Sequence, residues 1–212
     1  QILILSSDEN CKELEKIIPL DLSNLILNNS FYSFILNDKG GIIDDIIISK
    51  IIIDKFEYFF LVYNASRKII DEEIFIKKTY KYLLLKDNSL LAIQGPLSSQ
   101  VVSKFSNEIN KMYFMQISSF IYNNHSIIIS RTGYTGEDGF ELSIPNSIIN
   151  NLINDLMSDS KAILCGLGCR DSLRLEAGLS LYGNELYEDI TPVEANLSWA
   201  ISNVRMKLGG FN

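Results

Sequence analysis

Histidine occurs once in 212 residues, at His125, and cysteine three times, at Cys11, Cys165 and Cys169. A single imidazole argues against a histidine-based triad or a zinc site. An odd, sparse cysteine count argues against a disulfide framework and suits a reducing compartment. Cys165 and Cys169 flank Gly-Leu-Gly, not the two-residue spacer of redox and zinc motifs, and read as small packing residues. Basic charge is also scarce: 19 Lys and Arg stand against 26 Asp and Glu, for a net charge of −7. A nucleic-acid binder normally carries a basic face, so that class is disfavoured. No apolar run approaches the roughly 20 residues that span a bilayer. A signal-peptide layout is missing. The chain opens without Met on Gln1, directly before the apolar Ile2–Leu5, and stops at Gly209-Gly210-Phe211-Asn212. The expectation is a piece of a longer protein.

What is present is an ordinary globular mixture, 47% hydrophobic and 21% charged, long enough for one large or two ordinary domains. Its most informative stretch is Phe31–Lys50. Two apolar runs, Phe31–Leu36 and Ile42–Ile48, flank Asn37-Asp38-Lys39-Gly40-Gly41, which reads as a β-hairpin. Asp44 and Asp45 interrupt the second run. Alternation points them to opposite faces, so one can be solvated while the other lies against an apolar layer. A carboxylate there loses hydration, which raises its pKa unless donors compensate.

Along the chain, Ile2–Leu5 reads as a strand. Ser6 and Glu9 have capping-box spacing for a helix that Pro19 ends. After the hairpin come a strand Phe56–Tyr63 and a helix to about Tyr80 capped by Asn64-Ala65-Ser66. Strands Lys81–Lys86 and Leu90–Gln94 follow, then a helix Ser98–Phe105 begun by Pro96. Strands are expected at Met112–Ile117, Phe120–Tyr122, Ser126–Ser130 and Phe140–Ile144, then a helix Ser147–Met157 capped by Asn146. A short helix is expected at Asp171–Gly178. The order is that of an α+β protein, a split βαβ-like unit first. The expected domains are residues 1–87, carrying Asp45, and residues 88–212, incomplete at its N-terminal side and carrying Glu141 and Arg170.

Three stretches carry chemistry. Besides Asp44-Asp45, the loop Gly133-Tyr134-Thr135-Gly136-Glu137-Asp138-Gly139 is glycine-punctuated. It lacks the spacing, lysine and following helix of a phosphate loop. A hairpin turn on Asp138-Gly139 is the alternative. Glu141 faces opposite to Phe140 and Leu142, and its two oxygens match a planar ligand with adjacent N–H donors. In the third, Arg170 precedes the helix that Asp171 can cap, and Arg174 can pair with Asp171 at i,i+3.

Taken in order, GGIIDDIIISK, NAS, AIQGP, SRTGYTGEDGFELSIP, GLGCRDSLRLEAGLSLYGNEL and TPVEANLSW resemble the aminomethyltransferase (T-protein) family of the glycine cleavage system. The likeness runs from about Phe31 to Trp199. It implies antiparallel sheets with flanking helices, two of the three domains of a cloverleaf with folate in its central hole. It implies transfer of a one-carbon unit from the aminomethyl-lipoyl arm of an H-protein to tetrahydrofolate, with release of ammonia and with no metal. By the same resemblance, Asp45 is the catalytic carboxylate, Glu141 grips the pterin edge and Arg170 contacts the ligand. Tyr32, Tyr134 and Asn64 fall near the pocket. Bacterial cytoplasm and mitochondrial matrix both fit. The alternatives on the same fold are a folate-dependent demethylase of the dimethylglycine type and a non-catalytic folate-binding relative. The latter carries a KGCYxGQE-type motif, where this chain has Tyr182-Gly183-Asn184-Glu185.

Overall fold

The computed structural model describes residues 1–207. In chain order the elements are β1 (Ile2–Leu5), α1 (Asp8–Leu14), β2 (Ser30–Leu36), β3 (Ile42–Ile53), β4 (Phe56–Tyr63), α2 (Lys68–Lys78) and β5 (Tyr82–Leu84). Then come β6 (Asn88–Gln94), α3 (Ser98–Val102), β7 (Ile117–Tyr122), β8 (His125–Ser130), β9 (Gly139–Pro145), α4 (Ile149–Met157), α5 (Leu167–Glu176) and α6 (Asn203–Lys207). They form two compact units, Gln1–Leu85 with the segment from Ser180 onward, and Lys86–Leu179.

The first unit holds an antiparallel sheet of order β2-β3-β4-β1-β5. Cys11 and Leu14 of α1 and Phe75 of α2 pack on Ile2, Ile4, Ile46, Ile48, Phe59 and Leu61, so this face of the sheet is sealed by helices. A second apolar cluster joins Phe34, Leu36 and Ile42 of the hairpin to Leu186 and Ala200. That packing explains a difference from the expected domains. The segment from Ser180 belongs to the unit that carries the hairpin, not to the one that precedes it in sequence. Gly41 lets the segment approach, since a Cβ there would lie 1.8 Å from the carbonyl oxygen of Glu188. Asn37 Nδ2 donates to that carbonyl, and the Ile42 amide donates to Ile190.

The second unit holds an antiparallel sheet of order β6-β9-β8-β7. α3 and α4 supply Val101, Val102, Leu152 and Leu156 to its core. Asn123 and Asn124, both at positive φ, turn β7 into β8. One strand therefore replaces the two expected between Met112 and Tyr122. Several caps also differ. Ser7, not Ser6, accepts from the Asn10 amide at the start of α1. Asn146 accepts from Ser89 Oγ and Ile148 occupies the N-cap of α4. Gly166 caps α5, two residues beyond which lie Gly168 and then Arg170, inside the helix.

Candidate functional site

β2 and β3 pair in register from Ser30↔Ser49 to Ile35↔Asp44, then shift so that Leu36 faces Ile42. The extra residue, Ile43, is a β-bulge beside the two aspartates, a device that re-aims side chains. Asp44 is fully buried. Alternation places it with Ile46 and Ile48 on the helix-covered face. Asp45, half-buried, takes the other face, where Tyr32 of the neighbouring strand donates its hydroxyl to Asp45 Oδ2 at 3.0 Å. The Tyr32 ring is fixed in turn by an edge contact with Phe34 and by stacking on Trp199, centroids 5.6 Å apart. The expectation of opposite faces holds, but the deeper carboxylate is Asp44.

Asn64 ends β4 opposite the two aspartates. Its side chain donates to Asp45 Oδ1 at 2.7 Å and to Asp44 Oδ1 at 2.9 Å, and its amide donates to Asp44 Oδ2 at 2.9 Å. This corrects its reading as part of a helix cap. Arg67 holds the N-cap position of α2 without a side-chain capping bond, and the Asn64 side chain bonds the carboxylates. Burial, and then the charge of Asp44, raise the Asp45 pKa to about 6. Burial raises that of Asp44 as well, against the bonds from Asn64.

A third carboxylate completes this cluster. Asp71 of α2 is fully buried and in hydrogen-bond contact with Asp44. Sequence reasoning missed it, because Asp71-Glu72-Glu73 resembles a solvated helix face. The available signal was spacing: Asp71 lies four residues before Phe75, on the face that packs into the core. Arg67 is diverted from the cluster. Its Nη2 pairs with Glu188 at 2.6 Å and its guanidinium lies 5.1 Å from the Tyr182 ring centroid.

In the second unit Glu141 lies on β9, an inner strand, between the fully buried Phe140 and Leu142 and facing opposite to them. Its Oε2 accepts from Thr132 Oγ1 at 2.6 Å, and Thr132 is linked to Ser130 Oγ at 2.8 Å. The glycine-punctuated loop is not a turn on Asp138-Gly139. Asp138 is clamped to Arg131 by two bonds of 2.9 and 2.8 Å across the loop base, and Gly139 already belongs to β9. A Cβ on Gly133 or Gly139 would lie 2.0 and 2.2 Å from Gln94 Oε1, so the Gln94 side chain would have to move. The loop carries Tyr134, whose ring lies 4.5 Å below the exposed guanidinium of Arg170. Arg174, buried, bonds Asp171 at 2.9 Å as the i,i+3 spacing predicts, which leaves Asp171 within α5 instead of capping it. Of the six expected site residues, Tyr32, Asp45 and Asn64 form one hydrogen-bonded set, Tyr134 and Arg170 form a stacked pair, and Glu141 is held by Thr132.

The family model described as the GCVT N-terminal domain matches residues 6–205. The chain is 40% identical to the mitochondrial aminomethyltransferase of Flaveria anomala, over 93% of this chain and 51% of that protein. It is 39% identical to the corresponding protein of Solanum tuberosum, over 99% of this chain and 54% of that one. Among solved structures, the glycine cleavage system aminomethyltransferase T from Bartonella henselae aligns with a TM-score of 0.86 and 34% identity, covering 99% of this chain and 58% of its own. The chain spans about half the length of the curated relatives it matches.

Proposed function

The chain belongs to the GCVT N-terminal domain family, and on that premise we propose that the full-length protein is a tetrahydrofolate-dependent aminomethyltransferase. Its donor is the aminomethyl group on the lipoyl arm of an H-protein. The transferred carbon loses its bonds to sulfur and to nitrogen and gains bonds to N5 and N10 of the folate. The two protons displaced from those nitrogens leave with ammonia and with the dihydrolipoyl thiol, so the step balances.

The observation that carries this reading is the held carboxylate of Asp45. Tyr32 and Asn64 fix one oxygen each. A pKa raised to about 6 keeps the group ionised at neutral pH yet close enough to accept and pass on the N5 proton. Glu141 has one oxygen bonded to Thr132, which fixes the carboxylate; a carboxylate so held suits the N–H edge of a pterin. Arg170, stacked on Tyr134, offers a flat array of donors to a ligand carboxylate or carbonyl. Most of the acceleration comes from holding the donor carbon against N5. Free thiols at Cys11, Cys165 and Cys169 suit a reducing compartment, the bacterial cytoplasm or the mitochondrial matrix. Among the described residues no helix is long and apolar enough to cross a membrane.

The test is tetrahydrofolate-dependent formation of 5,10-methylenetetrahydrofolate by the full-length protein, with aminomethyl-loaded H-protein as donor and the iminium formed by prior oxidation of dimethylglycine as the competing donor. Methylene transfer with release of ammonia from the lipoyl donor alone is the expected result. Methylene transfer from the iminium, leaving sarcosine and needing no lipoyl partner, would assign the demethylase reading, and folate binding without turnover the non-catalytic one.

A further inference from the structure

The three carboxylates of the first unit pose a charge problem that the proposed reaction does not by itself require. Asp44 and Asp71 are both fully buried and in contact. Two carboxylates sharing a dry site cannot both be ionised, so one holds a proton. The donors decide which. Asp44 accepts from the Asn64 amide and from the Asn64 side chain. Neither oxygen of Asp71 meets an N–H or non-acidic O–H donor among the described residues. Charge therefore rests on Asp44, where it is solvated by donors, and the proton rests on Asp71.

Other groups around the pair do not reverse this order. Asp45, on the same strand as Asp44, adds negative charge and favours the protonated form of Asp71. The Arg67 guanidinium, just before α2, favours ionisation through its charge but makes its bond to Glu188, in the segment from Ser180, and none to Asp71. Glu72, also on α2, accepts from Tyr63 of β4. The amino group of Gln1, beside β1, feels the charges of Glu72, Lys68 and Asp71 at a distance, with no bond to Asp71 among the described residues. Burial is the dominant influence on Asp71 and acts in the same direction.

We propose that Asp71 is a positioning residue of this site: as a neutral carboxylic acid it donates to Asp44, which keeps Asp44 ionised and oriented to hold the Asn64 amide on Asp45. The bonds run in a continuous line, Asp71 to Asp44 to Asn64 to Asp45 to Tyr32. It reaches from α2 beneath the sheet to the carboxylate on its other face. Asp71 touches no reacting atom. It acts by fixing the charge beside Asp45, and so the pH at which Asp45 is ionised. The inference rests on the reading that Asp45 is the functional carboxylate. Its physical content, a proton held on Asp71, does not depend on the substrate.

The experiment uses two variants of the full-length protein labelled with 13C at the aspartate carboxyls. In Asp71→Asn an amide donates where the acid did, with no change of charge. In Asp71→Leu the donor is lost, and Asp44 must take the proton itself. The expected result is an Asp45 titration midpoint unchanged in Asp71→Asn and lowered by roughly one unit or more in Asp71→Leu, as the neighbouring charge disappears. With the lipoyl donor, kcat should be retained in Asp71→Asn and fall by roughly 10- to 100-fold in Asp71→Leu with little change in KM. A midpoint that moves in either direction in Asp71→Asn means that the charge of the pair rests on Asp71 in the native protein and overturns the proposal. A midpoint that stays put in Asp71→Leu also overturns it, because the two groups are then uncoupled. If Asp71→Leu does not fold, Asp71→Asn alone decides, since a charged and a neutral Asp71 predict different midpoints. The titration uses no folate, so it can succeed even if the assignment of aminomethyl transfer fails.

Discussion

Asp45 holds its proton more tightly in the folded chain than in the unfolded one, since burial and the Asp44 charge lift its pKa from 3.8 to about 6. The stability it contributes is therefore present in full below the unfolded value and is lost as pH rises through the folded value. Between about pH 4 and pH 6 this group makes the protein less stable with each step upward. Asp45→Asn removes that slope. It also replaces one acceptor oxygen by a donor nitrogen, so the bond with the Tyr32 hydroxyl must reverse and loses its charge assistance. On balance the variant should be more stable than the native chain at pH 7, by on the order of 1–2 kcal/mol, and should lose the advantage near pH 4. Denaturant melts at the two pH values check this. A native chain as stable as Asp45→Asn at pH 7 would place the Asp45 carboxylate in ordinary solvent. Alternation told that the two aspartates face apart, and the surrounding isoleucines told that one is buried. Which one was not legible, because the bulge at Ile43 is created by pairing with β2 and leaves no local mark. Asp71 was hidden for a similar reason, its acidic neighbours masking a residue that faces inward.

At the scale of elements, strands were easier to read than helix ends. β-branched and aromatic runs set β1, β2, β4, β8 and β9 within a residue at each end, whereas β3 continues to Ile53, five residues past the expected run. Caps failed where a polar side chain had a better partner elsewhere. Asn64 serves the carboxylates and Asn146 serves Ser89, so neither is free to close a helix. The hairpin loop shows what close approach demands of glycine. A Cβ at Gly41 would enter the van der Waals shell of the Glu188 backbone, which has no flexible tip to give way. Gly41→Ala should cost about 1–3 kcal/mol, as overpacking does. Gly168→Ala, within α5 where a Cβ would meet nothing within 4 Å, should not destabilise and should gain up to about 1 kcal/mol. Chemical denaturation measures both. Gly41→Ala without a loss would mean that the contact between the hairpin and the segment at Glu188 is not formed in solution.

For the whole molecule, the division into units was only half legible. The boundary near residue 86 follows from the short connection between β5 and β6, but the return of the segment from Ser180 to the hairpin follows from Leu186 and Ala200 finding an apolar surface there. Such pairings are long-range and leave no signal in local composition. The family motifs did reach this scale, because three of the resembling strings fell on stretches that the fold uses: the bulged hairpin, the glycine loop with its Arg131–Asp138 clamp, and α5 with its buried Arg174. We propose that Asp45 moves a proton in one-carbon transfer. This is tested most directly by single-turnover ammonia release from aminomethyl-loaded H-protein in the full-length protein, comparing the native chain with Asp45→Asn while tetrahydrofolate binding is measured in parallel. The account predicts that Asp45→Asn still binds the folate and releases ammonia at least roughly 100-fold more slowly, the scale of a lost general base. Release at the native rate by Asp45→Asn would contradict it.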